Sequence, residues 1–258
     1  MIHIKTEKEV ELIRESSLLV GKALAEVARL IRPGVTTIML DRVAEEFIRD
    51  HDAIPGFKGY EGFPATLCTS LNEQVVHGIP DGRELKDGDI ISIDCGVIKN
   101  GFYGDSAYTF LVGEVQEETR QLLIRTRESL FKGIDMAVAG RRIGDIGHAI
   151  QQHVENFGYS VVRDLVGHGI GRHLHEKPEI PNYGKRGEGI KLKEGMTICI
   201  EPMINLGTRM VYQEKDGWTI RTVDMKPSAH YEHTVVVRKD KCEILSTFQY
   251  IEDIIQNT

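Results

Sequence analysis

A nine-residue pattern occurs twice in the chain and strongly limits the folds open to it. KDGDIISID (86–94) and KEGMTICIE (193–201) each place a Lys-acid-Gly turn before an apolar run that ends in a carboxylate. The two carboxylates, Asp94 and Glu201, are 107 positions apart. Short apolar runs after turns are typical of buried β-strands. The repeat predicts two similar structural units packed around a pseudo-two-fold axis.

The segments before the two strands extend this repeat. TTIMLDRVAEEFI (36–48) and RIGDIGHAIQQHV (142–154) both carry apolar residues at helical spacing, and a further helix is predicted before each of them. The first of these helices should begin at a capping box formed by Thr6 and Glu9. We therefore expect one α/β (α+β) domain, residues 1–258, built from two helix-helix-strand halves. Their expected bounds are about 5–113 and 114–250. Chance similarity of two αβ units is the alternative.

Composition narrows the classes of function. The net charge of −7 argues against a general nucleic-acid-binding surface, and we expect no DNA partner. The four cysteines are far apart and form no CxxC pair, so we expect reduced thiols and a cytoplasmic protein. The first residues contain no apolar core of a secretory signal. The sequence contains no run of about 18 apolar residues, so we expect no membrane span.

Four carboxylates lie at or beside predicted strands. Asp94 and Glu201 end the repeated apolar runs. Asp105 lies in the expected hairpin partner of the first run, and Glu232 precedes a run of valines. Burying unpaired carboxylates costs free energy, so these must be protonated, paired with cations or bound to metal. Few Arg or Lys flank them, and two divalent ions would balance four negative charges. For any single one, a carboxylate that caps a turn is the simpler interpretation.

GHGIGRHLHE (167–176) offers imidazoles to such a site. Its three glycines argue against a helix, so a loop or distorted strand can turn His168 and His175 toward one pocket. His168, between two glycines, is the favoured metal ligand, and His175 the favoured hydrogen-bond donor or proton carrier. His173 is predicted to have no role. The motif HGIP offers His77, although a loop histidine without chemistry is the simpler interpretation of that residue alone.

The ordered motifs resemble those of type I methionine aminopeptidases. They are HGIP, ISIDCGV, GDSAYTF, GHGIGRHLHE, TICIEPM and YEHTVVV, and they span about residues 4 to 250. Each is weak alone, but the ordered set is specific. The resemblance implies the pita-bread fold, in which duplicated units with pseudo-two-fold symmetry surround a curved antiparallel sheet. Glu201 follows His175 by 26 positions, which leaves no room for the helical insertion of type II members. The chain begins directly with the catalytic unit, so we expect it to lack the N-terminal zinc-binding extension of the cytosolic eukaryotic type I enzymes and to resemble the bacterial form.

The resemblance also implies metal ligands and catalytic residues. The five ligands of the family match Asp94, Asp105, His168, Glu201 and Glu232. They would hold two divalent ions, which could be cobalt, manganese, iron or zinc; the sequence does not say which metal is used in the cell. Asp94 would serve one ion, and Asp105 and Glu232 would bridge both.

Further positions match the substrate-binding residues of the family. Its two catalytic histidines that bind no metal match His77 and His175, which would also contact substrate. The methionine pocket matches four positions: Tyr60, Phe63, Cys68 and Trp218. Phe57 and Leu174 depart from the bacterial pattern, so the detailed shape of the pocket is an open question.

The implied function is removal of the initiator methionine from nascent polypeptides, with preference for a small second residue. His175 would stabilise the oxyanion, and Glu201 would carry a proton from the attacking water to the leaving amide. The expected partners are nascent N-termini, with ribosome contact as a further expectation, and we expect a monomer.

Two other functions fit parts of the sequence. A proline-specific aminopeptidase shares the implied fold and much of the ligand set, but such enzymes usually carry a large additional N-terminal domain. A catalytically inactive pita-bread binding module is the other alternative, although inactive relatives typically lose metal ligands and all five are present here.

Overall fold

This computed structural model describes residues 2–256, in which two pairs of helices are each followed by a run of strands, and a short helix comes last. The helices are α1 (Glu7–Ala28), α2 (Thr37–Asp50), α3 (Glu117–Ile134), α4 (Ile143–Glu155) and α5 (Gln249–Gln256), with a 3-10 turn at Tyr60–Gly62. The first eight strands are β1 (Ile54–Pro55), β2 (Leu67–Leu71), β3 (Gln74–Val76), β4 (Ile90–Lys99), β5 (Phe102–Leu111), β6 (Ser160–Val161), β7 (Gly167–Gly169) and β8 (Glu176–Ile180). The others are β9 (Thr197–Ile200), β10 (Met203–Asn205), β11 (Val211–Gln213), β12 (Ile220–Thr222), β13 (Ser228–His230), β14 (His233–Val236) and β15 (Glu243–Ile244).

The predicted capping box begins α1. Glu9 N donates to Thr6 Oγ1, and Thr6 N donates to Glu9 Oε2 at 3.0 Å, so two otherwise unpaired amides are satisfied. The apolar face of α1, including Val20 and Leu24, is buried and packs against β4 and β5. No helix within residues 2–256 is long and apolar enough to cross a bilayer.

Within residues 2–256, the strands form four short antiparallel sheets. Two carry the orders β15-β14-β9-β7-β8 and β1-β4-β2, with β5 also paired to β4. The other two are β13-β10-β6 and β11-β12-β3. The expected curved antiparallel sheet is thus divided, and the breaks have a local cause. Pro202 lies between the end of β9 and the start of β10, and it has no amide hydrogen with which the strand could continue its ladder. Residues 231–232 likewise separate β13 from β14, so Glu201 and Glu232 lie in the gaps between strands rather than within them.

Hydrogen bonds from β5 join the first part of the chain to the last. Thr234 Oγ1 donates to Asp105 O at 2.7 Å, and Ser106 Oγ donates to Glu232 O at 2.7 Å. Glu232 N donates to Ala107 O at 2.9 Å. These buried bonds bring Asp105 of β5 and Glu232, between β13 and β14, side by side although they are more than a hundred residues apart in sequence. The bounds proposed for the two halves stay a prediction.

Candidate active site

The β4–β5 hairpin places two aspartates on one face. Asp94 pairs with Ala107 across the ladder, and Gly96 pairs with Asp105. Residues two apart on a strand share a face, so Asp94 and Asp105 are diagonal neighbours. Their side chains lie at hydrogen-bonding distance, which requires a proton on one of them when no cation is near. Gly96 is needed here because a Cβ at this position would lie 2.4 Å from Cε1 of Phe57.

His168 faces the same carboxylates. Its Nδ1 donates to Gly169 O at 3.0 Å, which leaves the lone pair of Nε2 free to point toward the cluster. This Nε2 lies 3.5 Å from Glu201 Oε1 and 3.8 Å from Asp105 Oδ2. The five residues predicted as ligands therefore border a single cavity. The strand β7 that carries His168 is only three residues long and is followed by a bend, as the glycines predict.

The carboxylates in this cluster lack cationic partners. Within residues 2–256, the only basic groups within 4.0 Å of the four carboxylates are His168 and His230. One buried oxygen each of Asp94, Asp105 and Glu232 has no hydrogen-bond partner. Such an arrangement is unfavourable for four negative charges unless protons or metal ions neutralise them.

The crowding of the four carboxyl groups shifts their pKa values upward. Burial raises the pKa of Asp94 to about 7, although the hydrogen bond with Asp105 opposes the shift. Burial, followed by repulsion from neighbouring carboxylates, raises the pKa of Asp105, Glu201 and Glu232 well above their usual ranges. In the absence of cations, the cluster therefore retains protons near neutral pH.

The donor set fits a metal ion. Ligand-type atoms of Asp105, His168, Cys199 and Glu232 all lie within 4.8 Å of one another. Carboxylate oxygens with one imidazole are the ligands of a hard or borderline divalent ion. Cys199 was not predicted here. Burial and the charges of Glu232 and Asp105 raise the pKa of its thiol well above the usual value, so it stays protonated beside the carboxylates.

His230 is the second residue that sequence reasoning missed. It is buried, and its Nε2 lies 3.8 Å from Glu201 Oε2 without a hydrogen-bond partner. Burial, followed by the charge of His77, lowers the pKa of His230 to about 3. The motif HYEH held the available signal, because residues two apart in extended backbone share a face and Glu232 was already a candidate.

Two other predicted histidines border the cavity, and the third does not. His175 lies at the rim with its Nδ1 2.9 Å from the Tyr60 hydroxyl, and its ring meets His168 edge-on at 4.4 Å between centroids. Burial lowers the pKa of His77 to about 4, so its ring is neutral at neutral pH. His77 also has a φ of 60°, a backbone conformation uncommon outside glycine and often found at functional sites. His173 is exposed and does not line the cavity.

Aromatic and apolar side chains form the wall of this cavity, whose volume is about 480 Å³. Phe63 and Trp218 meet edge-on at 5.1 Å between ring centroids. The four predicted pocket residues and the two unusual ones all line it: Tyr60, Phe63, Cys68, Trp218, Phe57 and Leu174. Leu174 and Phe57 are buried within the same apolar cluster, so they shape the wall directly. A small apolar side chain can enter this space and end beside the carboxylates.

The fold, the cluster of potential metal ligands and the sequence agree in pointing to the metallopeptidases. The sequence pattern of metallopeptidase family M24 matches residues 11–239, and the chain belongs to this family. It is 53% identical to a methionine aminopeptidase of Clostridium acetobutylicum over 95% of this chain and 99% of that protein. It is 49% identical to methionine aminopeptidase 1 of Bacillus subtilis, over 95% of this chain and 99% of that protein.

Solved structures agree with the predicted fold. The crystal structure of methionine aminopeptidase from Rickettsia prowazekii matches with a TM-score of 0.94 and 45% identity, over 96% of this chain and all of that one. Prolidase from Pyrococcus furiosus matches with a TM-score of 0.75 at 21% identity, over 95% of this chain and 65% of that one. The second similarity concerns the fold alone. The prediction of a pita-bread metallopeptidase is confirmed.

Proposed function

We propose that the chain is a methionine aminopeptidase that removes the initiator methionine from nascent polypeptides. The observation that carries the proposal is the meeting of His168 with four carboxylates, two buried and two partly buried, at the end of an apolar, aromatic-walled cavity. The names of relatives about half identical over nearly the whole chain support the same substrate.

We propose five metal ligands: Asp94, Asp105, His168, Glu201 and Glu232. Four carboxylates match the charge of two divalent ions, and His168 presents a free Nε2 to them. Cobalt, manganese, iron and zinc all accept such oxygen-rich ligands, so availability in the cell decides among them. Cys199 is left out because a fifth anionic group would leave the site with excess negative charge. When bound, the ions would lower the pKa of a water molecule and polarise the scissile carbonyl.

The protein's own residues would then orient the substrate and move protons. If the Tyr60 hydroxyl donates to His175 Nδ1, then Nε2–H of His175 is free to donate to the oxyanion that forms at the scissile carbonyl. Glu201, whose pKa is raised by burial and by Asp94 and Asp105, can accept a proton and pass it to the leaving amide nitrogen. Neutral His77 would contact the substrate amide as a donor or acceptor.

The aromatic wall would select methionine. A thioether side chain is flexible and packs well against aromatic ring edges. Phe63 and Trp218 form one side of the wall, and Tyr60 and Cys68 border the same space. We also propose that the protein works as a cytoplasmic monomer on chains leaving the ribosome. The four free, buried cysteines are consistent with a reducing compartment.

Mass spectrometry of two peptides tests the function. Metal-stripped protein would be incubated with Met-Ala-Ser or Met-Lys-Ser peptides, with and without manganese or cobalt. We expect metal-dependent loss of one methionine residue from the first peptide only. An Xaa-Pro peptide serves as the control for the proline-specific alternative. Cleavage of that peptide alone would replace the proposal, and no cleavage with any metal would refute it.

A further inference from the structure

A buried ion pair fastens the start of the chain to the segment that carries His175. Lys5 Nζ lies 2.6 Å from Glu176 Oε2, and the two side chains are only 6% and 9% exposed. Lysine is almost never buried this deeply unless it is paired. The two residues are 171 positions apart, so the contact is tertiary and belongs to no local motif.

Glu176 also ties down the bend before it. Its Oε1 accepts a hydrogen bond from His173 N at 3.3 Å, while Oε2 accepts from Lys5. The bend is packed tightly against the pair, because a Cβ at Gly171 would lie 2.4 Å from Lys5 Cε and 2.7 Å from Glu176 Oε1. Lys5 is fixed in turn, since its backbone N donates to Gly195 O at 2.8 Å. The ion pair and the backbone bond of Lys5 thus connect three separate segments: the one that contains Lys5, the bend before Glu176 and the turn at Gly195.

His175 depends on this bend for its position. It directly precedes Glu176 and lies at the exposed rim of the cavity. Within the described residues, its ring is hydrogen-bonded to Tyr60 and meets the rings of Tyr60 and His168 edge-on. These contacts orient the ring, but the backbone on both sides of His175 sets where the imidazole can lie.

We propose that Lys5 acts through Glu176 as a positioning residue that holds the His175 imidazole over the carboxylate cluster. This inference rests on the function proposed above for His175. A carboxylate suits the task because its two oxygens bind in two directions, one toward the Lys5 ammonium and one toward the amide of the bend. Two apolar side chains would fill the same space without fixing either direction.

Nuclear magnetic resonance of the histidine rings tests the geometry without reference to activity. The variants are Lys5→Met, Glu176→Gln and the double variant Lys5→Met/Glu176→Gln, with His175→Asn to assign the signal. The double variant matters because breaking a buried pair leaves one charge unpaired and can prevent folding, whereas removing both avoids this. We expect the His175 ring signal to move in every variant that folds, while that of His153 stays in place. An unmoved His175 signal in the double variant would overturn the proposal.

Kinetics on the Met-Ala-Ser peptide provides the second readout. Small displacement of a catalytic group can cost up to about 100-fold in rate, so we expect kcat to fall about 10- to 100-fold with KM and metal affinity nearly unchanged. Lys5→Arg, which keeps the charge, should restore part of kcat. Arg14→Met is the matched control, since this substitution removes the ion pairs that Arg14 of α1 forms with Glu11 in the same helix and with Glu243. A double variant that folds with wild-type kcat would show that the pair serves stability alone. Inactive wild-type protein would refute the proposed function instead, leaving the spectroscopic test of geometry intact.

Discussion

Two cavities in this structure differ in the feature that makes a site reactive. The larger, of about 680 Å³, lies among α1, β5, α3 and α5 and is bordered by aromatic rings and arginines. The smaller, of about 480 Å³, contains the carboxylate cluster. In the larger cavity, Arg127 pairs with Glu252, and Arg120 has an acidic neighbour in its own helix. In the smaller one, four carboxylates share two histidines. The candidate active site therefore differs from the larger cavity in having carboxylates without partners of opposite charge, and this distinguishes it more than the volume of the cavity does.

Removing one carboxylate from the cluster should produce the largest effect. For Asp105→Asn we expect activity on the Met-Ala-Ser peptide to fall about 10³-fold, because metal assistance contributes several kcal/mol to the transition state. Titration calorimetry should show weaker metal binding. The metal-free variant should melt at a higher temperature than the metal-free wild type, since folding no longer requires a carboxyl group that is ionised in the unfolded chain to take up a proton. Unchanged metal affinity would contradict the ligand assignment.

Replacing the rim histidine should have the next largest effect. For His175→Ala we expect kcat to fall about 10²- to 10³-fold, as for the loss of one oxyanion donor. Metal stoichiometry, measured by elemental analysis, should stay at the wild-type value because His175 is no ligand. Loss of metal in this variant would instead move His175 into the coordination sphere.

Opening the aromatic wall should weaken selection of methionine. Trp218→Ala removes the edge-on partner of Phe63, so we expect kcat/KM on the Met-Ala-Ser peptide to fall about 10-fold, mainly through KM. Steady-state kinetics with Met-Ala-Ser and Leu-Ala-Ser peptides measures the change in preference. A fall in kcat alone, at unchanged KM, would show that the wall does not hold the side chain.

The charge imbalance should also appear in the pH dependence of stability. Asp94 has an ordinary pKa of 3.8 and a folded pKa of about 7, so its contribution to stability is full below pH 3.8 and is lost as pH rises through 7. The buried histidines His77, His230 and His233 have lowered pKa values, so their contribution to stability rises as pH passes 6.5; this rise is shared by metal-free and metal-saturated protein and cancels when the two are compared. Relative to metal-saturated protein, metal-free protein should lose about 1 kcal/mol of stability between pH 6.5 and about pH 8. Metal-saturated protein, melted in the same buffers, should lack this decline; an equal decline in both would argue against metal neutralising the cluster.

The arginine-bordered cavity should tolerate substitution. Arg120 is half-exposed and lies 3.7 Å from the exposed Glu117 one turn away, a pair of the kind that contributes little. We expect Arg120→Ala to change kcat by less than about twofold and stability by less than about 0.5 kcal/mol. Thermal melts and the peptide assay measure both. A large loss of activity would mean that the two cavities communicate.

Elements governed by local pattern were predictable from the sequence. Thr6 and Glu9 form a capping box that is complete within four residues, and the hairpin of β4 and β5 follows from two apolar runs around a short turn. The carboxylate cluster was predictable for another reason. Asp94 and Glu201 recur at equivalent places in a repeat, and buried carboxylates demand a common partner.

Contacts between distant segments were not predictable. The pairing of Lys5 with Glu176 depends on how the segment before α1 meets the start of β8, and neither residue carries a motif for the other. Cys199 lies in β9, and its sulfur comes within 4.8 Å of ligand-type atoms of Asp105, His168 and Glu232 from other strands, so no local motif marks it. The left-handed backbone of His77 also has no signal in the sequence; the next residue, Gly78, lies so close to β2 that a Cβ there would meet Thr69 O at 2.1 Å.

The bonds that join β5 to β14 determine when the cluster can form during synthesis. Asp105 leaves the ribosome 129 residues before Thr234, whose hydroxyl donates to the backbone carbonyl of Asp105. At about 5–20 residues per second, the hairpin waits several seconds or longer before Glu232 arrives beside it. During that interval Asp94 and Asp105 are hydrated by solvent and hold no complete ligand set. A protein proposed to act on other chains as they emerge would therefore gain its own active site only at the end of its synthesis.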